Sequence, residues 1–440
     1  MNTPLNHCSF CGAEQARERP LISGRDGLIC EPCVTLAAQM VEGWARRRRF
    51  QEPLESPPTP HGIKEGLDAY VIGQSAAKET LAVAIYNHYK RLHAETMLKT
   101  VSLDADDRVE VDKSNILLLG PSGTGKTLLA RTLARIVGVP LVIADATTLT
   151  QAGYVGDDVE SLLTRLLNMA DGNVGLAEWG IIYLDEVDKL ARTGGGGHGL
   201  RDVSGEGVQQ ALLKLVEGEQ VKVPTGRGRK EGGDHVMMDT RNVLFIAGGA
   251  FEGLKDLVDA RTENVSVSMG FQGAPEPEGD DAVENHALFG ADRVHPEDLR
   301  RFGIIPELIG RFPVIAQVEA LTEDDLVHIM TEPRNALVRQ YRQLFAHEGT
   351  DLEVTDDALR AIARLAQARG TGARGLRGVF EHILSRTMYD LPSMDPVALC
   401  IVDEAAALGT GPVHMVPNED TDDSPEENTL PLRAAGGETS

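Results

Sequence analysis

Short, uninterrupted apolar runs alternate with longer stretches of helical period over much of this chain. Asn115–Leu119, Leu141–Ala144, Ile181–Leu184 and Val243–Ala247 read as buried strands. Between them, Thr127–Val137 places Leu128, Leu129, Leu133 and Ile136 at mostly helical spacing. Val208, Ala211, Leu212, Leu215 and Val216 follow i, i+3, i+4, i+7, i+8, so they predict an amphipathic helix that Gly218 ends. Strands that alternate with helices predict an α/β fold with a parallel sheet. Beyond about residue 316 the pattern turns mainly helical, over Leu321–His347, Asp356–Arg369 and Gly372–Leu391. Asp351–Val354 and Ala398–Val402 are candidate strands there, which predicts a smaller helical domain with a short sheet.

Composition divides the rest of the chain. Residues 51–62 contain Pro53, Pro57, Pro58 and Pro60 and read as a stiff, solvated linker. The expected domains are therefore a module over 1–50, this linker, a large domain over 63–315, a small one over 316–415, and a tail over 416–440. The tail collects Glu419, Asp420, Asp422, Asp423, Glu426 and Glu427 and is expected to be disordered. Gly194–Gly197 and Gly270–Val283 predict mobile loops. No internal repeat is visible. The 67 acidic residues outnumber 43 Lys and Arg, for a formal net charge of −24. That balance argues against nucleic-acid binding as the main activity, because phosphate backbones require basic patches. The run Arg46–Arg49 is a local exception that reads as a solvated end of the helix predicted over Val34–Trp44. No apolar run is long enough to span a bilayer, and residues 1–8 lack a basic-then-apolar signal pattern. A cytoplasmic protein is expected, with no membrane partner.

Cys8, Cys11, Cys30 and Cys33 form C-x2-C-x18-C-x2-C, the spacing of a four-thiolate zinc site. Two disulfides are the alternative, and a reducing compartment disfavours them. A lobe this small has too little core to fold unaided, so Zn²⁺ would supply its stability. Cys400 lies in an apolar run and reads as a core thiol.

The strongest chemical signal is Gly120, Pro121, Ser122, Gly123, Thr124, Gly125, Lys126, Thr127 and Leu128, between a predicted strand and a predicted helix. It fits the loop that wraps nucleotide phosphates. Glycines let backbone N–H groups turn toward phosphate oxygens, and the positive helix end sits beneath the same anion. Lys126 is placed to reach the β- and γ-phosphates, and Thr127 to ligate Mg²⁺. Downstream, the run from Gly180 ends in Asp185 and Glu186. Asp185 is placed to hold the Mg²⁺ shell and Glu186 to polarise the attacking water. Together the two motifs imply hydrolysis of ATP.

The zinc module, the phosphate loop and six further segments together resemble the ClpX family of AAA+ protein unfoldases. The segments are Tyr70–Gln74, Asp145–Thr150, Gly153–Gly156, Arg201–Ala211, Ile305–Arg311 and Thr371–Arg377. The likeness runs from about Leu67 to Pro396. It implies an AAA+ P-loop domain followed by a small AAA+ domain, and a homo-hexameric ring. By the resemblance, Val71 and Ile72 line the adenine pocket; by residue type alone they are equally core. Arg311 matches the arginine finger that reaches a neighbouring subunit's nucleotide, and Arg374 the arginine that senses nucleotide in cis. Tyr154, with Val155 beside it, matches the substrate-gripping pore loop. On the residues alone Tyr154 is either a grip on a glycine-flanked loop or a core tyrosine in a turn. Met269, Gly270 and Phe271 match the tripeptide that docks on a ClpP-type peptidase.

Two departures stand out. The family's second pore loop typically reads Arg-Lys-His, whereas here Arg229 and Lys230 are followed by Glu231. The run Val243–Ala247 leads into Gly248 and Gly249 without a clear polar sensor residue. The expectation is an ATPase that unfolds and translocates unfolded or tagged proteins, with adaptors received at the zinc module and no protease activity of its own. The alternatives are a remodelling chaperone that works without a peptidase, and a zinc-ribbon ATPase that binds nucleic acid.

Overall fold

The computed structural model describes residues 7–15, 20–25, 27–38, 40–41, 57–100, 111–150, 157–191, 205–225, 235–268 and 294–418. The chain divides after Leu321 into two compact units.

In the first unit, five parallel strands form one sheet. Its order is Val314–Gln317, Ile116–Leu119, Leu244–Gly249, Ile181–Asp185, Leu141–Asp145. Side chains alternate between its faces. Leu117, Leu119, Ile182, Leu184, Phe245 and Ala247 join one core, with leucines of the helix Ser161–Met169 and Val208, Leu212 and Leu215 of Glu206–Glu217. Ile116, Leu118, Ile181, Tyr183, Leu244 and Ile246 join the other, against helices Pro60–Asp68, Ser75–Thr100 and Lys126–Val137. Burial on both faces explains why these strands are apolar throughout rather than alternating. All five run the same way, so their carboxyl ends gather along one edge.

The second unit holds a three-stranded sheet with Val397–Val402 between Asp351–Val354 and His414–Pro417. Helices Glu323–Thr331, Leu337–Ala346, Asp356–Ala368 and Ala373–Asp390 accompany it. Thr322 and Asp325 close a capping box at the first of these, and Thr355 caps the third. Tyr341 stacks on Phe380 with ring centroids 5.5 Å apart. Cys400 is buried on the central strand, and burial pushes its thiol pKa up.

Several expectations shift. The periodic stretch 321–347 is two helices, because Pro333 cannot donate to a helical ladder and interrupts it. The linker ends earlier than residue 62: Thr59 caps a helix whose first residue is Pro60. A boundary at residue 316 would cut the edge strand Val314–Gln317, so the large unit continues to Leu321. The small unit's last strand passes residue 415. Residues 31–38 and 40–41 are helical, and the rest of the helix expected to Trp44 lies outside the described residues, as do Gly194–Gly197, Gly270–Val283 and the acidic tail from residue 419. No helix among the described residues is long and apolar enough to cross a membrane.

Gly248 is required by packing. A Cβ there would overlap the buried Tyr183 hydroxyl. Gly248→Ala should destabilise the large unit by about 1–3 kcal/mol, and adding Tyr183→Phe should recover part of that loss. Urea unfolding followed by tryptophan fluorescence checks this; an equal loss in both backgrounds would show that the overlap is not the cause.

Candidate active site and metal centre

The phosphate loop crosses from the strand Ile116–Leu119 to the helix Lys126–Val137 at the carboxyl edge of the sheet. Gly120, Gly123 and Gly125 have φ of 142°, 79° and 97°, which side chains rarely tolerate. A Cβ on Gly120 would also run into the Val318 carbonyl. Thr124 Oγ1 donates to the Pro121 carbonyl at 2.8 Å and closes the loop on itself. Lys126 is the first helical residue and is buried; its Nζ donates to the carbonyls of Gly120 at 2.5 Å and Pro121 at 2.8 Å. The lysine thus lies folded along the loop whose amides it would share with an anion. Ser122 and Leu128 are exposed at the rim.

Thr127 Oγ1 donates to Asp185 Oδ2 at 2.8 Å. Asp185 ends its strand, Thr127 is in the first turn of the helix that follows Ile116–Leu119, and Leu244–Gly249 lies between those two strands. That middle strand ends in Gly248 and Gly249, where a Cβ would meet Tyr183 and Asp188 respectively. Asp185 Oδ1 accepts from the Glu186 N–H at 3.1 Å and the Tyr183 hydroxyl at 3.3 Å. Glu186 leaves the strand at φ 57°, ψ 34°, a left-handed conformation uncommon outside glycine. The carboxylate that follows a strand is thereby turned away from the strand's own direction. Buried Asp188 accepts from the Ala250 and Phe251 N–H groups, both at 3.3 Å, and ties this turn to the end of the middle strand.

Val71 is buried and Ile72 is half-buried, in a short segment between two helices. Lys78 Nζ, almost fully buried, donates to the Val71 carbonyl at 2.6 Å and to Asp68 at the same distance. Gln74 makes two hydrogen bonds to the Glu319 backbone, at 2.9 and 2.8 Å. Sequence reasoning passed over Lys78 and Gln74. A lysine on the stripe Lys78, Ala82, Ile85, Tyr89 is the available signal, since a cation on an apolar face needs a specific partner. Arg311 follows the short helix Pro306–Ile309 and pairs with Glu217. Arg374 is exposed in the first turn of the helix Ala373–Asp390, in the second unit. Tyr154, Val155, Met269, Gly270 and Phe271 lie outside the described residues, as do Arg229, Lys230 and Glu231. The residues flanking two of these segments are described. Leu149–Thr150 pairs in parallel with Asp157–Asp158, and Gln220–Pro224 pairs antiparallel with His235–Asp239.

Near the N-terminus of the sequence, the sulfurs of Cys8, Cys11, Cys30 and Cys33 lie within 4.8 Å of one another. Two sulfurs on a tetrahedral zinc ion would sit roughly 3.8 Å apart, and Cys11 and Cys30 are 3.7 Å apart. Leu21–Ser23 and Leu28–Cys30 form the hairpin that brings Cys30 over the Cys8 turn. The Phe10 and Cys30 N–H groups both donate to Cys8 Sγ at 3.4 Å. The backbone N–H of Cys11, with those of Cys30 and Phe10, lowers the Cys8 thiol to about 6 against the opposing effect of burial. Cys33 is pushed up to about 12, first by its hydrogen bond to Cys11. Backbone N–H groups thus favour the thiolate at Cys8, while the neighbouring cysteines hold the proton on Cys33. The donor set therefore fits Zn²⁺.

Strand order, phosphate loop and acidic pair together define a P-loop ATPase of the AAA+ class. Family models agree with it. The AAA domain (Cdc48 subfamily) matches residues 111–315, the ClpX C4-type zinc finger residues 6–43, and the C-terminal, D2-small domain of ClpB protein residues 321–398. The "ATP-dependent Clp protease ATP-binding subunit ClpX 3" of Methylococcus capsulatus is 56% identical over 417 residues, 94% of this chain and 95% of that protein. The "ATP-dependent Clp protease ATP-binding subunit ClpX" of Azotobacter vinelandii is 54% identical over 396 residues, 90% of this chain and 88% of its own length. The chain belongs to the ClpX family. It is an ATPase that works with ATP and Mg²⁺, and its N-terminal finger takes Zn²⁺.

Metal analysis of protein purified under reducing conditions should give one zinc per chain. Chelation should unfold the finger and leave basal ATPase largely intact, because the proline-rich segment before Thr59 separates the two. Loss of ATPase in step with zinc would refute that separation.

Proposed function

We propose that this chain is the ATP-hydrolysing ring subunit of a Clp-type protease, which unfolds proteins and threads them into a ClpP-type peptidase. The observation that carries the reading is the joining of a four-cysteine finger to a phosphate loop whose Thr127 meets Asp185. Both relatives are named as ATP-binding subunits of an ATP-dependent Clp protease, which supports a peptidase partner.

In this reading Gly120, Pro121, Ser122, Gly123, Thr124 and Gly125 wrap the phosphates. Lys126 exchanges its two loop carbonyls for phosphate oxygens, and Val71 and Ile72 border the adenine. Bound Mg²⁺ would offset phosphate charge. Thr127 and Asp185, already 2.8 Å apart, are the pair that would hold it. Glu186 orients and polarises the attacking water. Arg311 acts across a subunit boundary, where a cation stabilises charge developing on the γ-phosphate. Arg374 senses the nucleotide of its own subunit. A residue acting in trans requires a closed ring, and six copies is the family's number.

Mechanical work falls to loops. The parallel pair around 151–156 and the antiparallel pair around 226–234 hold the ends of two segments. Tyr154 and Val155 on the first would grip polypeptide; Glu231 on the second lowers the positive charge that the family usually presents. Met269, Gly270 and Phe271 would dock the peptidase, and the zinc finger, held by Cys8, Cys11, Cys30 and Cys33, would receive adaptors or substrates. The expected compartment is the cytoplasm.

Lys126→Ala should abolish nucleotide binding. Glu186→Gln should keep it and slow turnover by roughly 10²–10⁴-fold, the range of a lost general base. Binding of a fluorescent nucleotide, measured beside steady-state ATPase, tests both; wild-type turnover in Glu186→Gln would remove that residue from the chemistry.

The two loop assignments separate by readout. Tyr154→Ala should keep ATPase and slow unfolding of a stable tagged domain. Phe271→Ala should keep both and stop degradation when the peptidase is supplied. Degradation at the wild-type rate by Phe271→Ala would remove the docking assignment, whereas no degradation by the unmodified protein with a peptidase supplied would favour a remodelling chaperone that needs none.

A further inference from the structure

Arg311 is held at both of its ends. At the backbone, buried Asn115 donates from Nδ2 to the Arg311 carbonyl at 2.8 Å. Its Oδ1 accepts from the Phe245 N–H at 3.1 Å, so one amide side chain fastens the arginine's segment to the sheet. Asn115 directly precedes the strand that runs into the phosphate loop. At the guanidinium, Glu217 Oε1 accepts from Nε at 3.2 Å and from Nη2 at 2.9 Å. Glu217 is the last residue of its helix, which Gly218 ends at φ 99°.

We infer that Asn115 and Glu217 are positioning residues for Arg311, fixing its backbone and its guanidinium so that the opposite edge of the group faces outward. A guanidinium has five N–H donors in a rigid plane. Glu217 engages the Nε–Nη2 edge and leaves Nη1 for a phosphate. The pair is about half exposed, which makes it worth little to stability. Its consequence is directional: two held donors restrict the rotation of a long side chain that must meet a charge on another subunit. Asn115 adds a link between the two sides of the ATPase site, since the strand that delivers the chain's own phosphate loop also anchors the arginine offered to a neighbour. The inference rests on reading Arg311 as the residue that acts in trans.

The test measures steady-state ATPase of the full-length, assembled protein in five variants: Arg311→Ala, Glu217→Gln, Asn115→Asp, and the last two each combined with Arg311→Ala. Asn115→Asp keeps the acceptor for Phe245 and sets a carboxylate against the Arg311 carbonyl. Glu217→Gln, at the surface, leaves the fold intact and decides the matter if Asn115→Asp fails to fold. Each single change should lower kcat roughly tenfold, well short of the 10³–10⁵ attributed to a whole arginine finger, with KM within about twofold. Neither should slow the enzyme further once Arg311 is alanine. If Arg311→Ala is slow but Glu217→Gln matches wild type, the positioning role is wrong and the reading of Arg311 stands. An equal fold-loss with and without Arg311 would mark a general structural effect and also overturn it. Wild-type rates in Arg311→Ala itself would overturn the trans reading and this inference with it.

Discussion

Everything at the nucleotide site depends on a parallel sheet that is buried on both faces. Parallel strands need crossover helices, and those helices cover the sheet above and below. The strands then have no polar face to spare, so functional groups appear only where strands end. Thr127, Asp185, Glu186 and Gly249 all lie at or just beyond the carboxyl edge. Strand order does the remaining work, because Leu244–Gly249 separates the phosphate-loop strand from the strand ending in Asp185. Across the end of that middle strand Thr127 Oγ1 reaches Asp185 directly. What looked like the absence of a polar residue after Val243–Ala247 is also a space kept clear for Tyr183 and for the acidic turn.

The N-terminal finger answers a different constraint. Its described residues expose Phe10, Ile22 and Leu36 and bury little besides Cys8 and Cys30. A lobe with so small a core cannot balance the entropy of ordering its chain, and metal–thiolate bonds take the place of apolar burial. Backbone N–H groups around Cys8 favour the thiolate, and the resistance of Cys33 to ionisation beside its neighbours is what a divalent cation removes. Finger and ATPase unit are thus stabilised by unrelated physics.

In the proposed reading the ATPase unit also builds for a neighbour: Lys126 and Thr127 would serve its own nucleotide and Arg311 the next subunit's. Arg311 stands half exposed, held by one buried amide and one surface carboxylate. Burial makes Asn115 costly to replace, and exposure makes Glu217 cheap to replace.

The sequence by itself determined the elements and their chemistry. Apolar runs located four of the five strands of the main sheet, because a strand covered on both faces must be apolar along its length. Glycine spacing located the phosphate loop, because only glycine accepts those positive φ values, and cysteine spacing located the zinc ligand set. The edge strand Val314–Gln317 escaped, because it is preceded by Pro313 and its burial is only partial at Val314 and Ile315. The antiparallel pair Gln220–Pro224 and His235–Asp239 escaped as well, although Val221 and Val223 alternate with polar residues ahead of a glycine-rich stretch of sequence. Tertiary structure alone decided which distant groups meet: Gln74 with Glu319, Thr127 with Asp185, Asn115 with Arg311, Arg311 with Glu217. Periodicity tells a side chain which face it occupies, since that follows from the geometry of its own element. Its partner depends on strand order and crossover, and those are set by the packing of the whole unit.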